Sequence, residues 1–416
     1  MSFFRIKIYL KFKYFILSFF LKRNSNKAKI IKKLNELTKK KSSILTSQLR
    51  VGFFLVLKYL KIKNPEKKEI ILNSYNLAEM ANICENLKLK IIYTKLNKNI
   101  FISEMDLIKK INQNTLAVVA TNIFNTSKNL EKIKKICKRK KISFIEDNAI
   151  YLDNFIKKKN NKIYSGSFGD YSLHSFNIMK NISAMYGGAV STNDTKFIIY
   201  AKKELNKFKK FPFVKYFKQC SIYLILKVLS FNIFYNLFYL KLIRLAHKKN
   251  NKFILSFIYP SLKFKKKFVP KNYSSEINSL SVNMILLQLK DKKNRNLNHN
   301  KRKENNTYYN HLFKKNNIKN LKIIDITEPD FQNFNDFPII VNNKNLLINY
   351  LLKKGIETKA VQYVDCHKIF KNQKKEKLES YENKILCLPN HSKITKKYID
   401  FIVNSISLFY SNSKIN

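Results

Sequence analysis

The chain has 416 residues, 45% of them hydrophobic, which is enough for a full core divided over two domains and excludes a disordered or fibrous chain. Its 82 Lys and Arg against 27 Asp and Glu leave a formal net charge of +55. The basic residues run through the whole length without a concentrated block beside a recognition motif, so nucleic acid is not the expected partner. Attraction to anionic membrane surfaces or to nucleotide phosphates follows from the charge alone.

Lys, Asn and Ile dominate and Trp is absent, as in coding drift toward AT-rich codons. The five cysteines, Cys84, Cys137, Cys220, Cys366 and Cys387, include no C-x-x-C pair. That argues against a disulfide framework or zinc site and for a reducing cytoplasm. The histidines, among them His174, His367 and His391, show no metal-ligand spacing.

Residues 1–22 are apolar and basic, but Lys11 and Lys13 interrupt the apolar run and no small-residue cleavage site follows. The stretch is neither a signal peptide nor an uninterrupted span. Two readings stay open: an amphipathic helix on a membrane, or an arm packed on a partner subunit. Residues 24–41 read as a polar helix. Ser47-Gln48-Leu49-Arg50 then opens an apolar helical stretch that reaches Leu60. Short strands follow at Glu69–Leu72, Lys90–Tyr93 and Thr115–Thr121, with helical stretches between them. Strand and helix alternate at the spacing of βαβ units, which predicts a mostly parallel sheet.

The densest signal is Phe144–Ala189. An apolar run from Ile142 to Ile145 ends at a carboxylate pair, Glu146 and Asp147. A run of that length suits a buried strand, and ligands sit at the carboxyl ends of such strands. A basic connection, Lys157–Lys162, leads to Gly166 and Gly169. A second strand-like run, Tyr171–Phe176, precedes Lys180, with Gly187 and Gly188 beyond it. A partly buried lysine loses its proton more readily and can form an imine. An acid nearby can keep a ring nitrogen protonated, and pyridoxal phosphate uses such a pair. Singly, each residue reads as a solvated charge or a helix cap.

The ordered combination resembles the DegT/DnrJ/EryC1/StrS family of sugar aminotransferases. The matching segments are Glu146-Asp147-Asn148-Ala149-Ile150, Gly166-Ser167-Phe168-Gly169-Asp170, His174-Ser175-Phe176-Asn177-Ile178-Met179-Lys180 and Met185-Tyr186-Gly187-Gly188. The resemblance implies a fold-type-I (aspartate aminotransferase-like) α/β protein, with a large sheet domain and a small α+β C-terminal domain. It implies pyridoxal 5'-phosphate bonded to Lys180, which also carries the proton. Asp147 would pair with the pyridine nitrogen and Ser175 would contact the phosphate. The turn at Leu49 and Arg50 would cradle the phosphate with backbone N–H groups. The substrates implied are a nucleotide-linked keto sugar and an amino donor, glutamate, in surface-polysaccharide synthesis, with a homodimer completing the site. The chain departs from the family at Leu49, Leu77, Ile150, Asn177 and Tyr186. Leu77 stands where the family stacks an aromatic on the pyridine, and Tyr75 is the nearest replacement. A catalytically degenerate, membrane-associated homologue is the alternative. A sugar dehydratase on this fold is disfavoured by Lys180.

Residues 205–270 are aromatic, aliphatic and basic, broken by Lys218, Lys227 and Lys241. They read as an insertion, either a membrane-surface hairpin or a pack on the partner subunit. Ser274–Leu289 is an amphipathic helix resembling a family segment that ends in Gln288 and Leu289, and Asn272 stands at a family phosphate contact. A long polar helix follows over 294–315, then a strand at Phe337–Val341 and a helix at Leu346–Lys353 with Gly355 at its C′ position. Lys354-Gly355-Ile356-Glu357-Thr358 and Leu388-Pro389-Asn390-His391 match core and loop signatures of the family. The expected organisation is an arm over 1–40, a cofactor domain over 41–204, an insertion over 205–270, and a long helix with a small domain over 271–416. The expected location is cytoplasmic, with peripheral contact at the inner membrane face.

Overall fold

Largely buried runs of five to seven residues form the strands of the main sheet in the computed structural model of the chain. It describes residues 3–5, 7–21, 26–124, 127–150, 152, 154–158, 161–249, 251, 273, 276–324, 335–359, 363–370 and 378–412. Helices α1 (Phe12–Phe20) and α2 (Asn26–Thr38) precede β1 (Ser42–Thr46) and α3 (Leu49–Lys63). Then come β2 (Glu69–Asn73), β3 (Tyr75–Asn76), α4 (Ala78–Asn86), β4 (Lys90–Thr94), α5 (Glu104–Lys110), β5 (Thr115–Thr121), α6 (Ser127–Arg139) and β6 (Ser143–Asp147). A hairpin of β7 (Phe155–Lys158) and β8 (Asn161–Tyr164) leads to β9 (Tyr171–Ser175) and β10 (Gly188–Thr192).

Seven of these strands form one sheet in the order β1-β10-β9-β6-β5-β2-β4. Its centre, from β9 to β4, is parallel, while β1 and β10 pair antiparallel at one edge. The expected α/β, mostly parallel sheet is therefore present. The basic stretch Lys157–Lys162, expected as a connection, instead closes the antiparallel hairpin.

The sheet is covered on both faces, as its continuous apolar strands require. On one face Ile44, Ile145, Leu173 and Val190 pack on Phe53 and Val56 of α3. On the other, Leu45 and Ala189 meet Ile30 and Leu34 of α2, and Val118 and Phe144 meet Leu130 and Ile133 of α6.

Helix α7 (Thr195–Asn206) is capped by Asp194, whose side chain accepts from Phe197 N–H. The insertion then forms α8 (Phe213–Leu229) and α9 (Asn232–Lys248), bent by 87° at the break between them. A π-helical turn runs over Tyr235–Tyr239 of α9. One face of this pair packs on the protein's own chain through Tyr216, Tyr223, Tyr235 and Ile243, all buried. Among the described residues no single helix is long and apolar enough to cross a membrane.

The N-terminal arm is also built into its own chain. Phe4 packs against Tyr235, Tyr239 and Ile243 of α9 and Leu352. Arg5 Nε lies 2.9 Å from Glu357 Oε1, with both side chains buried. His391 Nε2 lies 2.8 Å from the Phe4 carbonyl. The two C-terminal signatures thus receive the arm.

Helix α10 (Ser279–Lys290) lies on α1 and α2, and α11 (Lys292–Asn316) follows. A second sheet combines β11 (Leu321–Ile323), β12 (Asp336–Val341) and the later β14 (Ile385–Pro389). Helix α12 (Lys344–Lys353) ends as expected: Gly355 has φ 85°, and Ile356 N–H donates to Leu351 O. Strand β13 (Val364–Asp365) pairs with β3 in a separate two-stranded sheet, joining this region to the segment that follows β2, and α13 (Cys366–Ile369) and α14 (Lys396–Asn412) are the last helices.

Candidate active site

The carboxyl ends of β6 and β9 lie side by side, with Asp147 opposite Leu173. Strand alternation then decides which side chains share a face. Asp147 follows Ile145 by two residues, Ser175 follows Leu173, and Thr46 follows Ile44, all on the face covered by α3. Ser175 and Thr46 both stand opposite Gly188, on either side of it. A Cβ on Gly188 would come within 2.3 Å of Leu49 N, so the N-terminus of α3 presses against the strand. The first N–H groups of a helix have no intrahelical partner. Ser175, Gly188, Leu49 and Arg50 therefore surround one patch of backbone donors. Gln48 caps α3 without a side-chain hydrogen bond. The Arg50 guanidinium reaches toward Glu79, 4.0 Å away.

Asp147 is fully buried. Its Oδ1 accepts from Ala149 N–H at 3.1 Å, while Oδ2 has no donor among the described residues. Burial raises its pKa to about 6, against the opposing pull of the Ala149 N–H, the Lys180 charge and Thr121. Asn76 Nδ2 donates to Thr121 Oγ1 at 3.0 Å, steadying that neighbour.

Lys180 sits in the loop between β9 and β10. Desolvation lowers its pKa to about 8, helped by the Lys359 charge and opposed by Asp147 and Asp336. Lys359 and Asp336 form an ion pair of 2.7 Å contributed by the C-terminal region. The acid at the end of β6 and the lysine beyond the end of β9 therefore lie within electrostatic reach of each other.

The neighbouring acid, Glu146, has a different job. Its carboxylate accepts the N–H groups of Gly166 at 2.7 Å, Phe168 at 3.0 Å and Gly169 at 3.1 Å. Burial raises its pKa, against these three donors. It therefore moulds the Gly166–Asp170 turn, where Gly166 has φ 94° and a Cβ on Gly169 would collide with Glu146. Lys40 donates to the Gly169 carbonyl from the other side. Among 82 basic residues nothing in the sequence distinguishes Lys40.

The Lys180 loop is held from α10 and α11. Gln288 accepts Ser183 N–H at 3.0 Å and donates to Ser183 O at 2.6 Å. Arg302 donates to Asn181 Oδ1 at 3.0 Å, and Asn181 Nδ2 to Ile150 O at 3.2 Å. Gln288 carried a sequence signal as the end of an amphipathic segment; Arg302 carried none.

Tyr75 is buried in the core cluster of the C-terminal region. Its ring packs on Tyr363 and Tyr381, 5.8 and 6.1 Å away, because β3 pairs with β13. Leu77 caps α4 and is half-buried between two core clusters. His174 faces away from the α3 side, fully buried, with its pKa lowered to about 3 by desolvation. Among the described residues no cluster of His, Cys, Asp or Glu has the geometry of a metal site. Asn272 lies outside the described residues.

The chain is 30% identical over 131 residues to a UDP-4-amino-4,6-dideoxy-N-acetyl-beta-L-altrosamine transaminase of Helicobacter pylori. That match covers 32% of this chain and 34% of the relative, so it spans about a third of the relative's length. In fold the chain is similar to Helicobacter pylori PseC, an aminotransferase of pseudoaminic acid biosynthesis, with a TM-score of 0.72 at 18% identity, covering 99% of this chain and 100% of that one. It is also similar to an E. coli GDP-4-keto-6-deoxy-D-mannose-3-dehydratase with bound hydrated PLP, with a TM-score of 0.67 at 18% identity, covering 95% of this chain and 96% of that one. A family model matches residues 17–219 and 256–407, and the chain belongs to the DegT/DnrJ/EryC1/StrS aminotransferase family.

Proposed function

We propose that the protein is a pyridoxal 5'-phosphate-dependent aminotransferase that converts a nucleotide-linked keto sugar to an amino sugar, with glutamate as donor, for surface-polysaccharide synthesis. The observation that carries this reading is the undonated, buried Oδ2 of Asp147 with the depressed amine of Lys180 in electrostatic reach. A ring N–H⁺ placed between α3 and the sheet fits that oxygen. The donor patch at Leu49, Arg50 and Ser175 fits a phosphate, beside a glycine whose side chain would fill the cradle.

When bound, the coenzyme supplies an electron sink for the carbon that gains or loses the amino group. Asp147 Oδ2 holds the ring-nitrogen proton in place, and its buried site keeps that contact free of competing water. Lys180 Nζ would hold the coenzyme through its aldehyde carbon, and its amine, with its pKa lowered by burial, would carry a proton between the two carbons that exchange it. Gln288 and Arg302 fix the loop that aims Lys180. The fold is shared with a dehydratase, so the fold does not choose the reaction; the lysine at position 180 favours transamination. In this reading the enzyme is cytoplasmic and two copies complete each site. The arm over 1–40, the domain over 41–204, the insertion over 205–270 and the remainder over 271–416 are its working divisions.

The test is transfer of ¹⁵N from labelled glutamate to UDP-, GDP- or TDP-linked 4-keto sugars, read by mass spectrometry. The reading expects a labelled amino sugar from at least one of them, lost in Lys180→Ala. Coenzyme binding without transfer to any keto sugar would favour the catalytically degenerate homologue instead.

A further inference from the structure

The insertion and the N-terminal helix present an apolar surface that the chemistry above does not use. Phe20, Phe213, Phe217, Phe231, Ile233 and Phe238 are each 63–79% exposed. They lie on α1, α8 and α9 and, for Phe231, at the break between α8 and α9; on the opposite side Tyr216, Tyr223 and Tyr235 are buried, and Phe15 of α1 meets Tyr223 with ring centroids 5.0 Å apart. The outward side chains are thus held out by a packed scaffold. Apolar surface of this extent on a folded chain marks an interaction site. The family match skips 220–255, so Phe231, Ile233 and Phe238 lie in a segment outside it, while Phe20, Phe213 and Phe217 lie within it.

Charge selects the occupant. No acidic residue occurs in 1–35 or 205–275, whereas Lys13, Lys215, Lys218 and Lys241 punctuate the apolar helices. A second copy would set one acid-free face against another in a molecule of net charge +55. An anionic lipid surface neutralises the same lysines and takes the aromatic side chains at headgroup depth. The 87° bend between α8 and α9 denies the pair a straight crossing. We propose that α1, α8 and α9 form a docking face for an anionic bilayer, seating the protein peripherally with Phe217, Phe231 and Phe238 inserted.

The absence of Trp allows a direct test. Full-length Phe231→Trp is mixed with vesicles of phosphatidylglycerol and phosphatidylethanolamine carrying brominated acyl chains. Met105→Trp reports from an exposed position on α5, which packs at the far β4 edge of the sheet. The proposal expects blue-shifted, quenched indole fluorescence from the Phe231→Trp protein and unquenched fluorescence from the Met105→Trp protein. It expects the triple variant Phe217→Ser, Phe231→Ser, Phe238→Ser, unchanged in charge and on exposed positions, to lose vesicle affinity by about 100-fold or more. Equal quenching of both reporters, or undiminished binding of the triple variant, would mean adsorption by charge alone and overturn it. So would a doubled mass without lipid that the triple variant abolishes, which would make the face a contact between copies. The readout needs no turnover and stands apart from the transamination reading.

Discussion

At Asp147 the cost of burial works against the proposed function. Burial raises its pKa from 3.8 to about 6, so the folded coenzyme-free chain binds a proton more tightly than the unfolded one. Between those values stability falls as pH rises, and the deficit persists at neutral pH. Asp147→Asn is therefore expected to raise the stability of the coenzyme-free protein at pH 7 by at most about 2–3 kcal/mol, a few °C in Tm, while abolishing transamination. Calorimetry of the coenzyme-free pair checks the sign; an unchanged or lower Tm contradicts it. Gly188→Ala sets a Cβ against Leu49 N and is expected to weaken coenzyme binding at least about tenfold, because helix and strand must part by more than an ångström. Titration of coenzyme into the variant measures this. Asp147, Ser175 and Lys180 stood out in the sequence because a short ordered motif carries them, and the structure sets them at neighbouring strand ends. Glu146 was legible only as half of a pair, since its three N–H donors come from a turn twenty residues away. Lys40 and Arg302 were illegible, because position in three dimensions alone separates them from their many basic neighbours.

At the scale of elements, period and punctuation carried far. The βαβ alternation gave the parallel sheet, and Gly355 marked the end of α12, where a left-handed residue was needed. The arm was less legible. Its apolar and basic residues suit a membrane, a partner or the protein itself, and composition cannot choose among them. The structure uses both faces: Phe4, Arg5 and Tyr14 turn inward, and Phe12 and Phe20 turn outward. Arg5 and Glu357 form a buried pair, and removing one member strands the other charge. Arg5→Ala is expected to destabilise the chain by about 3–5 kcal/mol, read by denaturant unfolding, with Arg5→Ala/Glu357→Gln recovering part of the loss. A cost below about 1 kcal/mol would mean that the arm is not seated there.

For the molecule as a whole, the two titrating groups set a working window. Lys180 reacts as a neutral amine, and its pKa is lowered from 10.5 to about 8, so the rate of coenzyme uptake is expected to climb as pH rises through about 8. Asp147 must be ionised to hold the ring proton, so affinity is expected to fall as pH drops through about 6. Stopped-flow uptake across pH 5–11.5 checks both limbs; a climb centred near 10.5 would show that the lysine is not desolvated.

The account rests on a covalent bond from Lys180 to pyridoxal phosphate, and absorbance tests it directly. The purified protein mixed with pyridoxal phosphate and freed of excess is expected to keep a near-ultraviolet or visible band that borohydride fixes to Lys180 and that Lys180→Ala lacks. A chain that retains no coenzyme, or an alanine variant that retains the same band, contradicts it.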